Sequence, residues 1–156
     1  KALGGEVATM AKPELGWVPV RATGIGVEDV LHAGIGWTQY VFESHGDHVS
    51  KLPEGATVVM KGEACPVQAF RVGALSYGIQ YHPEWTRETI LGEIDSATDA
   101  ELAAVGTTKS NLRQSTAEHY PAAERNSKRV FELANLLLFP AGRQQTGLVA
   151  PGWVHH

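Results

Sequence analysis

Residues 6 to 81 break into short runs of β-branched and aromatic residues, and residues 122 to 138 carry an apolar face of helical period. A chain holding both has to lay at least one helix against a sheet, so it folds as mixed α/β. The helical signal is Val130, Leu133, Ala134 and Leu137 at i, i+3, i+4 and i+7 within Ala122–Leu138. The strand runs are Glu6–Met10, Leu15–Val20, Thr38–Glu43, Ala56–Lys61, Val67–Val72 and Leu75–Tyr81. Pro13 between the first two and Gly73-Ala74 between the last two predict antiparallel hairpins. Leu52-Pro53-Glu54-Gly55 is turn chemistry. Val27–Ala33 reads as one or two helical turns ended by Gly34 and Gly36, and Thr86–Ile94 as a helix. Asp99–Val105 reads as a further helix capped by Asp99. Lys1-Ala2-Leu3-Gly4-Gly5 reads as the end of a helix closed by glycine.

The 156 residues suit one domain, with no repeat and no linker. Net charge is −4, which offers no basic field for nucleic acid and no polybasic membrane patch. No apolar run approaches the roughly 20 residues that span a bilayer. Cys65 is the sole cysteine, so no internal disulfide can form, which fits a reducing cytoplasm.

The chemistry lies in Tyr77-Gly78-Ile79-Gln80-Tyr81-His82-Pro83-Glu84. A hydrophobic strand delivers a histidine and a carboxylate, two residues apart, onto the loop at its end, where α/β sheets place reactive groups. Pro83 biases His82 toward extended backbone, in which positions i and i+2 point the same way. Glu84 can then hold one imidazole nitrogen and leave the other facing a nucleophile, the base-and-orienter pair of a triad.

This string resembles the Gly-Ile-Gln-Phe-His-Pro-Glu signature of the class I (triad-type) glutamine amidotransferases. Other segments agree in order: Ala2-Leu3-Gly4-Gly5 is similar to the end of the family's nucleophile-elbow helix. Glu43-Ser44-His45-Gly46-Asp47 resembles its Ser-His-Gly-Asp loop, and Leu52-Pro53-Glu54-Gly55-Ala56 and Cys65-Pro66-Val67-Gln68-Ala69-Phe70-Arg71 follow as in the family. The resemblance covers Lys1 to Ile94 closely and the terminal helix more loosely. It implies a flavodoxin-like three-layer α/β fold of which only the C-terminal half is present, with residues 1–140 as that part of the domain and 141–156 as an irregular tail.

It also implies a reaction. A cysteine thiolate attacks the side-chain amide of L-glutamine, with His82 as the catalytic base and Glu84 as its orienter. Ser44, His45, Gly46 and Asp47 bind the glutamine's α-amino and carboxylate groups. A glutamyl thioester is hydrolysed, and ammonia passes to an acceptor subunit or domain of the guanosine monophosphate synthetase kind. No cofactor enters this chemistry. The family's cysteine, in a Gly-x-Cys-x-Gly elbow, does not occur in the chain, so the nucleophile is expected on a missing N-terminal half. The alternative is a catalytically inactive amidotransferase-like module that binds glutamine or a partner.

Cys65 lacks the glycine-flanked strand-to-helix turn of a nucleophile and is expected to be a bystander. His45 and His48, and His155 and His156, have no further ligands that spacing alone assembles into a metal site, and none is expected. Trp17 and Trp37 are expected as core or rim packing, and Trp85 as pocket lining.

Overall fold

The computed structural model describes residues 2–138. Its strands are β1 (Glu6–Ala22), β2 (Thr38–Lys51), β3 (Ala56–Lys61), β4 (Ala69–Val72) and β5 (Ser76–Ile79). Its helices are α1 (Gly24–Val27), α2 (Arg87–Ser96), α3 (Asp99–Val105) and α4 (Lys109–Leu138), with a 3₁₀ turn at Val30–His32. The sheet is antiparallel throughout, in the order β2-β1-β3-β4-β5. The β4–β5 hairpin forms as expected around Gly73, which takes φ +61°.

The hairpin expected over Glu6–Val20 does not form. β1 runs straight through Pro13 and pairs with β2, from Glu6 opposite Lys51 to Arg21 opposite Thr38. The register shifts between Thr9, opposite Asp47, and Glu14, opposite His45. The extra β1 residues bulge there, and Pro13, lacking an N–H, sits in the part of the strand that needs no ladder bond. A proline between two apolar runs reads locally as a turn; here the long partner strand absorbs it as a bulge. For the same reason Ser44-His45-Gly46-Asp47 is not a loop but lies within β2, facing the bulge.

Alternation along β2 separates two cores. Tyr40, Phe42 and Ser44 point toward the helices: the Tyr40 ring stacks on His119 of α4, and Ser44 Oγ donates to Glu93 Oε1 of α2 at 2.5 Å. Phe42 packs with Ile90, Ile94, Ala97, Leu102 and Leu112. Val41 turns to the other face and joins Val20, Val59, Met60, Ala69 and Tyr81. A third cluster, Leu31 with Val130 and Leu133, seats the 3₁₀ turn on the last turns of α4. Trp17 is a core residue as expected, edge-on to Phe42 at 5.6 Å with its indole N–H donating to Thr116 Oγ1. Trp37 is 68% exposed and packs in neither core.

α4 starts at Lys109 rather than Ala122 and keeps Pro121 inside it. Its first half is polar enough to hide from a search for apolar period, because Leu112 and Thr116 alone are buried there. Burial of that narrow face against Trp17 and Phe42 holds the helix through the proline, which removes one intrahelical bond.

Helix α3 is capped by Thr98, not Asp99. The Thr98 hydroxyl accepts from the Glu101 N–H and the Glu101 carboxylate accepts from the Thr98 N–H, a reciprocal capping box. Gly106, at φ +74°, closes the helix in the left-handed conformation. Thr98→Ala is expected to lower stability by about 1 kcal/mol, read by urea denaturation. An unchanged midpoint would show the box to be dispensable.

Candidate active site

His82 follows β5 and Tyr81, and Glu84 lies in the turn that precedes α2. His82 Nδ1 is 2.8 Å from Glu84 Oε1, so an Nδ1–H donates to the carboxylate and Nε2 is left free. The backbone N–H of Trp85 donates to the His82 carbonyl at 3.3 Å and closes the turn. The Trp85 ring lies flat on the His82 imidazole, 4.2 Å between centroids at 10°. Trp85 is itself tilted against Phe42 at 5.9 Å, so the imidazole is tied to the helix-side core. The His82 side chain is 34% exposed and that of Glu84 54%. An imidazole held by a carboxylate at one nitrogen and open at the other is suited to accept and return a proton. The cleft that His82 lines with Phe42, Tyr81, Pro83, Trp85 and Tyr120 holds only about 30 Å³, a single water's share.

The sheet places the other expected residues elsewhere. Ser44, His45 and Gly46 line a separate cavity of about 370 Å³, with Glu14, Glu93 and Glu101 among its walls. Asp47 lies outside that cavity lining; its carboxylate accepts from the Thr9 hydroxyl at 2.9 Å and its carbonyl accepts from His45 Nδ1 at 2.9 Å.

His45 proves to be the centre of a buried polar group. Its Nε2 is 3.0 Å from Glu14 Oε2 and 3.2 Å from Glu43 Oε2. The Gln68 amide nitrogen donates to Glu14 Oε2 at 2.9 Å. Burial disfavours the imidazolium, but the hydrogen bond to Glu14, the close negative charge of Glu43 and the Asp47 carbonyl outweigh it and raise His45 to about 10. Burial also pushes the Glu43 carboxyl up, against the opposing pull of His45. Glu14, Glu43 and Gln68 were not singled out from sequence. The available signal was a charged side chain at an inward position: Glu43 alternates with Val41 and His45 on one face of β2.

Cys65 sits in the β3–β4 connection, fully buried, and burial raises its thiol to about 11. A thiol so placed is not a thiolate nucleophile near neutral pH.

The profile of the glutamine amidotransferase class-I family matches residues 1–92, more than half the chain. The chain belongs to the class-I glutamine amidotransferase family. Among curated proteins it is 48% identical over 84 residues to a GMP synthase [glutamine-hydrolyzing] of Corynebacterium efficiens, covering 53% of this chain and 15% of that one. It is 41% identical over 97 residues to the GMP synthase [glutamine-hydrolyzing] of an Azoarcus species, covering 58% and 18%. The chain thus spans less than a fifth of the length of these relatives. Among solved structures, a glutamine amidotransferase from Methylobacillus flagellatus matches 88% of this chain and 57% of its own, with TM-score 0.72 and 23% identity. One from Thermotoga maritima matches 83% and 54%, with TM-score 0.69 and 24% identity. The expected class I amidotransferase α/β fold is what this chain shares with those structures. The matches extend past the family profile's last residue, so they take in helices beyond it. Among the described residues no helix is long and apolar enough to cross a membrane.

Proposed function

We propose that the protein to which this chain belongs hydrolyses the side-chain amide of L-glutamine through a cysteinyl thioester and passes the ammonia to an acceptor site. The observation that carries this reading is the 2.8 Å contact of His82 Nδ1 with Glu84, which leaves Nε2 free on a ring one-third exposed. His82 takes the thiol proton and returns it to the departing ammonia, and Glu84 holds the tautomer and balances the transient imidazolium.

The nucleophile is a thiolate outside these 156 residues. Cys65, fully buried and with its thiol raised, does not serve. A cleft of about 30 Å³ cannot enclose a glutamine, so the substrate lies against the open side of His82, where a further part of the polypeptide completes the pocket. Residues 1–140 act as the C-terminal part of the amidotransferase domain. The Ser44–Asp47 segment contributes backbone groups to the glutamine's amino-acid end. The likeness to GMP synthases supports an acceptor domain of that kind.

The test is ammonia release from L-glutamine by the complete polypeptide. Glu84→Gln should lower the glutamine-dependent rate by about 10²- to 10⁴-fold, because the amide does not balance the cation and no longer enforces the Nδ1–H tautomer. Glutamine binding without any ammonia release in the wild type would instead favour a binding module.

A further inference from the structure

The group around His45 contains more acceptor oxygens than N–H or S–H groups to satisfy them. Glu43 is fully buried, yet neither of its oxygens has a hydrogen-bond partner among the described residues. Its 3.2 Å approach to His45 Nε2 is an ion-pair contact whose angle falls outside hydrogen-bond geometry. Gln68 Oε1 is fully buried and also without a partner, although its amide nitrogen is anchored on Glu14. A buried carboxylate whose oxygens accept no hydrogen bond calls for an explanation, and an ion bound beside it is one.

The donors converge. Glu14, His45 and Cys65 each offer a ligand atom, and these atoms lie within 4.8 Å of one another. Glu43 Oε2 meets the same His45 nitrogen from another direction. His45 Nδ1–H donates to the Asp47 carbonyl at 2.9 Å, the outer hydrogen bond that orients a metal-bound imidazole and leaves Nε2 as the ligand. A tetrahedral ion bound at about 2.0–2.3 Å needs its donors roughly 3.3–3.8 Å apart. His45 Nε2 lies 3.0 and 3.2 Å from the two carboxylates, just short of that range, and Glu14, His45 and Cys65 lie within 4.8 Å of one another, so side-chain adjustments of up to about 1 Å bring the donors to it. The His45 and Glu14 side chains are 9% and 6% exposed, so the site is closed, as structural rather than catalytic zinc sites are.

We propose that Glu14, Glu43, His45 and Cys65 bind one divalent ion of the zinc class, pinning β1, β2 and the β3–β4 connection together. A thiolate, an imidazole and carboxylates select a borderline-soft ion over magnesium or calcium. On binding, Sγ and Nε2 each release a proton to solvent, and no redox change occurs. The ion satisfies Glu43 and replaces the imidazolium as counter-charge to the two carboxylates. The test of the proposal needs no turnover and uses neither His82 nor Glu84, so its failure is distinguishable from failure of the amidotransferase reading.

Cys65 is the only thiol among these 156 residues, so a cobalt(II)–thiolate band that Cys65→Ser removes reports this site and not the catalytic cysteine of the complete polypeptide. Titrating the metal-stripped full-length protein with cobalt should produce a thiolate-to-cobalt charge-transfer band and four-coordinate visible bands, saturating at one ion per chain and bleached by zinc. Cys65→Ser should remove the charge-transfer band, and Glu43→Gln should weaken binding about 10- to 100-fold. Should those variants misfold, wild-type protein supplies the second measurement: in mild denaturant, zinc should slow alkylation of Cys65 at least about tenfold. Absence of the charge-transfer band at excess cobalt, together with alkylation indifferent to zinc, overturns the proposal. His45 would then be an imidazolium shared by two carboxylates.

Discussion

Replacing His82 by alanine in the complete polypeptide is expected to reduce glutamine-dependent ammonia release by about 10⁴-fold or more, the scale on which loss of a triad base acts. Among the described residues, no second imidazole faces the cleft. His45 is buried between Glu14 and Glu43 on another part of β2, and His119 is stacked on Tyr40 at 3.9 Å. Externally supplied ammonia bypasses the thioester, so an acceptor reaction fed with ammonia should run at the wild-type rate. The side chain is one-third exposed, and its packing is chiefly one face against Trp85, so the fold should persist. The decisive measurement is the ratio of glutamine-dependent to ammonia-dependent rate in wild type and His82→Ala. A ratio unchanged by the substitution would make the His82–Glu84 pair a structural turn and refute the triad reading.

The largest effect on stability is expected at Gly26. This glycine is buried in α1, and a Cβ built on it would lie 1.9 Å from the carbonyl oxygen of Val59. The obstacle is backbone, held in place by Thr23: its N–H donates to Val59 O at 3.0 Å and its hydroxyl to Val58 O at 2.8 Å. Val59 and Met60 are fully buried in the first core, so β3 cannot move away without opening it. Gly26→Ala should therefore cost about 3 kcal/mol, the upper end of ordinary overpacking. Gly24→Ala is the control. It lies in the same helix with nothing within 4 Å of its Cβ, and it should be neutral or slightly stabilising. Urea denaturation of the two variants side by side measures the difference; equal midpoints would mean that α1 is not clamped to β3.

Local chemistry made much of the architecture legible. The hairpin around Gly73, the Thr86-capped helix α2 and the His82-Pro83-Glu84 turn each depend on residues adjacent in the chain, and each forms close to where the pattern put it. The 2.8 Å His82–Glu84 contact was readable because an i, i+2 spacing across a proline leaves few conformations. What failed had its cause far away in sequence. Pro13 looked like a turn, and only β2, some 30 residues on, made it a bulge. The first turns of α4 were not read as helix, because Leu112 and Thr116 are recognised as a buried face only against Trp17 and Phe42.

The site divides along the same line. The His82–Glu84 pairing was legible in the sequence, since neighbouring residues supply both groups. The placing of Ser44, His45 and Gly46 in a cavity apart from His82 was decided by the strand pairing, which buries His45 between Glu14 and Glu43 and ties it to the β3–β4 connection through Gln68. Those four residues come from three separate segments. Their mutual attraction exists only at the few ångströms, and in the low dielectric, that the folded sheet creates.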